Sequence, residues 1–389
     1  MKAPSSDIDL FSDQTLLAPY ESYRALRDLG SAVWLDSMKG YAVARYQDVR
    51  RILQDGETFI SSEGVSMNED INLQMRGTLI SSNGPRHATL RKIIGTPLQP
   101  AELNSLRERI SREADRLVAG LVEKSRFDAA TDLAKHLPTT IVSNLVGLPE
   151  EGRERMLDWS RALGNAMAPA CPRSAAAMPV AVEMMNYIFN ECVPGKLKSG
   201  GWADRIWQAA ERGEVSATDP FHMMNDYLGP SLDTTISATT SIIWLFTQFP
   251  DQWDILRQRP QLVPMAINEA VRLESPIQAF SRKLSRDAEF DGILLPKGGR
   301  LLAIYASANR DERFWADPES FEIQRPHLAD HIGFGFGEHR CVGMNLARME
   351  IAALLQAFLK HVERFELVDF RREANAGFRV IERCVVTVH

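Results

Sequence analysis

The sequence predicts a mainly α-helical protein with a minor β component, and three observations carry that reading. Residues 87–275 place apolar side chains at helical spacing almost throughout, broken only at Pro138, Pro149, a Pro/Ala-rich stretch over 168–179, Pro194-Gly195 and Pro220. Beta-type patterning is confined to about 30–45, 283–305 and 375–389. No repeat, low-complexity tract or linker-like stretch divides the 389 residues, so a single domain over 1–389 is expected.

Taken in order, Tyr20 to Leu29 carries a helical stripe. Ala32 to Leu35 and Tyr41 to Ala44 read as short strands around the turn-like Met38-Lys39-Gly40. Tyr46 to Leu53 is helical again, with Asp48 near its start. Residues 61–86 are rich in Ser, Asn and Gly and lack a period, which marks a long loop of the functional or mobile kind. Asp226 to Gln248 reads as one long helix, although Pro230 must distort it near Asp226: proline removes a hydrogen bond and clashes four residues back. Gly292 to Gly298 is a strand and turn, 308–340 is irregular, Val342 to His361 is a final helix, and the last ~20 residues look β-like.

Composition excludes several roles. Against 45 Lys and Arg stand 51 Asp and Glu, a formal net charge of −6, so nothing biases the whole molecule toward nucleic acid or an anionic membrane. No apolar run approaches the ~20 residues of a bilayer span. Met1 to Asp7 lacks the apolar stretch of a secretion signal, and a cytoplasmic protein is expected. The four cysteines, Cys171, Cys192, Cys341 and Cys384, include no Cys-x-x-Cys pair and form no disulfide framework. A lone cysteine is most often a buried inert thiol. Cys341 departs from that through its neighbours.

Those neighbours are Phe334-Gly335-Phe336-Gly337-Glu338-His339-Arg340-Cys341-Val342-Gly343. The glycines let the backbone turn tightly and approach a flat partner. Cys341 lies at the start of an amphipathic helix, where amide N–H groups and the positive dipole end favour a thiolate. Zinc is disfavoured, because no second cysteine or paired histidine lies at ligand spacing. The segment resembles the cysteine pattern of the bacterial, soluble cytochrome P-450 family, Phe-x-x-Gly-x-(Arg/His)-x-Cys-x-Gly, matched at Phe334, Gly337, His339, Cys341 and Gly343. The resemblance implies non-covalent haem b (iron protoporphyrin IX) with Cys341 as axial iron ligand. It also implies the family's fold, a long distal helix over the haem and the cysteine loop beneath it.

Further motifs agree. Glu269 and Arg272 match the family's Glu-x-x-Arg, two groups on one helix face that together lock a nearby loop. The family often adds an arginine from a Pro-Glu-Arg-Phe-like segment; Pro318-Glu319-Ser320-Phe321 stands here, so the third partner is missing or supplied elsewhere. His87 and Arg91, one helical turn apart, resemble the family's His-x-x-x-Arg; with Arg282 and His339 they are the implied propionate partners. Phe334 and Gly343 complete the implied cofactor contacts. Ser307 to Asp311 matches the stretch before the cysteine loop. Asp233 and Thr234 match the acid–alcohol pair that delivers protons beside bound oxygen, whereas Pro230 and Ser231 depart from that pattern.

The resemblance covers nearly the whole chain and is nearest to members acting on small methoxylated aromatics, on the impression of Gly64-Val65-Ser66 and Ile277 to Phe280. It implies hydroxylation or O-demethylation with O2 as co-substrate. Asp226, Gly229 and Phe280 are the substrate-side candidates. An ionised Asp226 would repel a carboxylate and accept a hydrogen bond from a phenol, which favours a methoxyphenol over an aromatic acid. Electrons are expected from a separate ferredoxin or flavodoxin with its NAD(P)H reductase, drawn to Arg91, Lys92, Arg340 and Arg348. The alternatives are a peroxygenase or isomerase of the same fold and a non-catalytic haem sensor. No nucleic acid and no membrane enters any of these readings.

Overall fold

The computed structural model describes residues 1–389. Its principal helices are α1 (Tyr20–Leu29), α2 (Tyr46–Gln54), α3 (Glu69–Gln74), α4 (Gly84–Gly95), α5 (Arg107–Lys124), α6 (Met156–Ala166), α7 (Pro172–Glu191), α8 (Asp219–Leu228), α9 (Asp233–Gln248), α10 (Val263–Glu274) and α11 (Met344–Phe358). The strands are β1 (Ser5–Ser6), β2 (Val33–Leu35), β3 (Gly40–Val43), β4 (Phe59–Ile60), β5 (Arg126–Asp128), β6 (Ala279–Leu284), β7 (Ala288–Phe290), β8 (Ile293–Leu295), β9 (Arg300–Ile304), β10 (Phe365–Arg372) and β11 (Ile381–Val388). Helix dominates, as expected.

A six-stranded sheet runs in the order β1-β2-β3-β9-β6-β4, and a second sheet runs β10-β11-β5. Alternation along β9 feeds both faces of the larger sheet. Leu301 and Ala303 join a cluster with Tyr46, Phe59 and Trp315. Leu302 and Ile304 join another with Leu26 and Leu35. The main core gathers α9, α10 and α11 around Ile242, Phe246, Trp253 and Phe358.

Three differences from the sequence reading have local causes. β1, β4 and β5 are only two or three residues long, too short for a period to be read. The loop over 61–83 contains the short helix α3, whose N-cap Asn68 accepts from the Asp70 amide. Most important, the helix expected over Asp226–Gln248 is interrupted. α8 ends at Leu228 and α9 begins at Asp233.

Candidate functional site

The interruption is a run of backbone carbonyls that lose their helical partners. Pro230 has no N–H to offer Asp226. Three hydroxyls take over part of the work: Ser231 donates to the Tyr227 carbonyl, Ser160 of α6 to that of Gly229 at 2.8 Å, and Thr234 to that of Pro230 at 2.7 Å. Pro230 is exposed between the buried Gly229 and the half-buried Ser231. A Cβ at Gly229 would stand 2.9 Å from Leu163 Cδ2, so glycine there allows the close approach of α6.

Asp233 and Thr234 open α9. Asp233 is buried, its Oδ2 has no partner, and its Oδ1 lies 3.6 Å from Arg161 Nε. Burial pushes its pKa up to about 6 against the pull of Arg161. Asp226 also carries a structural contact. Its Oδ2 accepts from the Leu79 amide at 2.8 Å, and the Ile80 amide also bonds it, so the carboxyl fastens the 61–83 loop to α8. Burial pushes its pKa up to about 7, so it is not the permanent anion that the sequence suggested.

The cysteine loop precedes α11. Gly335 and Gly337 adopt φ of +71° and +68°, and a Cβ at Gly337 would lie 2.2 Å from the Leu53 carbonyl oxygen of α2. The Cys341 amide donates to the Phe334 carbonyl at 2.8 Å, closing the loop. α11 starts at Met344 rather than Val342, which leaves the Gly343 and Met344 amides to bond the Cys341 sulfur. Burial pushes the thiol up, while those amides, Arg91 and Arg348 pull it down. Cys341 is nonetheless exposed by area. The apolar cleft beside Leu10 and Tyr23 and the polar one of about 250 Å³ beside Arg109 and Lys198 lie elsewhere and do not include it.

Around Cys341 and His339 the cationic candidates converge. The His87 and His339 rings are 4.4 Å apart, and both Nε2 atoms are buried without a partner. Burial, Arg282, His87 and Arg91 together push the His339 pKa down to about 2. Arg282 is buried on β6 and donates to the Ser281 carbonyl at 2.8 Å. Arg91 donates to the Arg340 carbonyl at 2.6 Å. Glu338 is the nearby anion, 3.9 Å from His87 and 3.6 Å from His339. A multiply oxygenated anion fits this set, and the two propionates of haem b are such a group. No group of three or more His, Cys, Asp or Glu side chains is poised for a metal.

The support behind the loop is buried. Glu269 and Arg272, both fully buried, form a two-pronged pair at 2.7 and 2.9 Å. Arg272 also reaches the carbonyls of Asn309, Pro318 and Ser320. The third arginine is Arg325, 2.9 Å from Glu269 Oε1, which sequence reasoning missed. Its one signal was its position four residues after Phe321 and before Pro326. Phe334 lies beneath the Arg348 guanidinium at 4.8 Å, and Arg348 donates to Asn268 at 2.7 Å. Arg348 is thus an internal brace, and of the four expected surface cations Lys92 and Arg340 are the exposed ones. Phe280 packs edge-on to Tyr305 at 6.0 Å, two residues before Arg282 on the same strand.

Residues 241–373 match the family model described as Cytochrome P450. The chain is 32% identical over 384 residues to Cytochrome p450 CYP199A2 of Rhodopseudomonas palustris, covering 97% of this chain and 93% of that protein. It is 29% identical over 388 residues to linalool 8-monooxygenase of Pseudomonas putida, covering 95% and 94%. Among solved structures, the CYP116B5 heme domain of Acinetobacter radioresistens superposes with a TM-score of 0.87 at 22% identity, covering 98% of this chain and 97% of that one.

Proposed function

The chain belongs to the cytochrome P450 family and is an O2-dependent, haem b-binding monooxygenase, and from that premise we propose that Cys341 is its iron ligand and a small methoxylated phenol its substrate. One observation carries the first part. Cys341 is exposed beside the Gly343 and Met344 amides, with Arg91 close by and the His87 and His339 rings next to Arg91, both with buried Nε2 atoms that have no partner. Bound there, haem would supply dioxygen activation. His87, Arg91, Arg282 and His339 hold the propionates, and Phe334 and Gly343 shape the cysteine side.

On the other side, Thr234 and Asp233 handle protons. The Thr234 hydroxyl sits on the Pro230 carbonyl at the helix break, next in sequence to a buried carboxyl with a free oxygen. Asp233 gives a proton to Thr234, and the hydroxyl passes one of its own on toward the reacting site. Phe280 contributes an aromatic wall beside Tyr305.

The substrate reading rests on charge. Neither Asn225 nor Asp226 on α8 offers a cation, and Arg161 is already shared between Asp233 and Glu373. A substrate carboxylate would have no counter-ion there, whereas Asp226 retains an oxygen that accepts from a phenol. Electrons come from a separate ferredoxin or flavodoxin with its NAD(P)H reductase, attracted to Lys92 and Arg340 on the cysteine side.

The reduced, carbon monoxide-bound spectrum tests the ligand. Cys341→Ala is expected to abolish the thiolate-type Soret band, and its survival overturns the assignment. Guaiacol- or syringol-like phenols are expected to drive a low- to high-spin shift that 4-methoxybenzoate does not. Tight benzoate binding overturns the substrate reading while leaving the ligand intact.

A further inference from the structure

Asp233 is held by a group that itself has two claimants. Arg161 of α6 approaches Asp233 Oδ1 with its Nε at 3.6 Å, too far for a hydrogen bond, and that Nε is buried without a partner. Its Nη1 instead lies 3.2 Å from Glu373 Oε2. Glu373 follows β10 directly, in a loop tied back to α6: Asn375 donates to the Arg161 carbonyl at 3.1 Å, and Asn165 accepts from the Ala376 amide at 3.1 Å. One guanidinium therefore stands between a dry carboxylate, 1% exposed, and a wet one, 28% exposed.

We propose that Glu373 is a positioning residue for Asp233: it competes for Arg161 and so keeps the buried carboxyl free to take up and release protons. The proposal rests on the reading of Asp233 and Thr234 as the proton-handling pair. A guanidinium clamped on Asp233 would fix it as an anion and remove it from proton traffic. Drawn toward Glu373, the same guanidinium leaves Asp233 Oδ2 unbonded and the Oδ1 contact long. The groups facing Asp233 are Arg161 and Ser160 from α6, Glu373 from the C-terminal loop, and the amino end of its own helix. Among these, Arg161 is the one cationic side chain and Glu373 the one other carboxylate. Changing either alters the balance in opposite senses.

The experiment uses haem-loaded protein in its reduced, carbon monoxide-bound form, with carboxyl-13C aspartate and the Asp233 signal assigned by Asp233→Asn. Glu373→Gln frees Arg161 to close on Asp233, and the carboxyl midpoint is expected to fall by about one pH unit. Arg161→Gln removes the cation, and the midpoint is expected to rise by about as much. Arg161→Lys is expected to restore most of the wild-type value. Product formed per NAD(P)H consumed should lose its alkaline limb at lower pH in Glu373→Gln and at higher pH in Arg161→Gln. Shifts of the same sign in both variants, or none, overturn the proposal. Opposite midpoint shifts with an unmoved coupling profile uphold the placement of Arg161 and instead overturn Asp233 as proton donor. Failure of the ligand or substrate reading would appear separately, in the Soret band or the spin shift.

Discussion

Asp226 carries an ionisable group where its charge is costly, and that makes it a test of how single residues are used. Its carboxyl accepts from the Leu79 amide, 147 positions away in sequence, and burial pushes its pKa up to about 7. The unfolded chain titrates the same group near the ordinary value of 3.8. Between these values the folded state binds the proton more tightly, so stability falls as pH rises from about 4 through about 7. Asp226→Asn keeps a carbonyl acceptor and abolishes the titration. The variant is expected to match wild type near pH 4 and to exceed it by about 1–2 kcal/mol at pH 8, by urea unfolding at both pH values. Equal stability at pH 8 would mean that water reaches the carboxyl freely. The sequence marked Asp226 as unusual through its place before Pro230, and it gave no sign of the partner, because the loop amides meet it only in the folded chain.

At the scale of elements, the interrupted distal helix is the chain's departure from a simple pattern. Pro230 was readable as a distortion, since its missing N–H follows from chemistry alone. What was not readable is how the freed carbonyls are satisfied. Ser160 reaches Gly229 from a helix 69 positions earlier, while Ser231 and Thr234 bond back along their own segment. Pro230→Ala returns an N–H that can bond the Asp226 carbonyl and draw α8 and α9 toward one continuous helix. Stability is expected to rise by about 1 kcal/mol, read from the denaturant midpoint. Thr234 then loses its exposed acceptor, and less product per NAD(P)H consumed is expected. A variant that is both more stable and fully coupled would show that the break is not needed for proton delivery. The cysteine loop is the opposite case. Its glycines and its cysteine lie within ten consecutive residues and the helix follows at once, so local chemistry was enough to recognise it. Arg325 completes the support of that loop from 56 positions beyond Glu269, a contact fixed by packing and not by spacing.

For the whole molecule the governing quantity is charge. At a formal net charge of −6 the chain as a body repels an acidic electron-transfer protein, so productive approach depends on local cations. Arg91 and Arg348 spend their donors inside, on the Arg340 carbonyl and on Asn268, which leaves Lys92 and Arg340 exposed on the cysteine side. With so few steering charges, each one matters to the encounter rate more than to the affinity of a docked complex. Lys92→Glu combined with Arg340→Gln is expected to slow reduction by an acidic ferredoxin about ten-fold at low salt, measured by stopped-flow under carbon monoxide. The gap should close near 0.5 M salt, roughly, where the Debye length drops below the span of the contact. Lys92→Glu alone leaves the cysteine loop untouched and should show the same trend in smaller measure. A slowing that salt leaves unchanged would place the fault in the loop around Cys341 rather than in steering, and an unchanged rate would move the electron entry to another face.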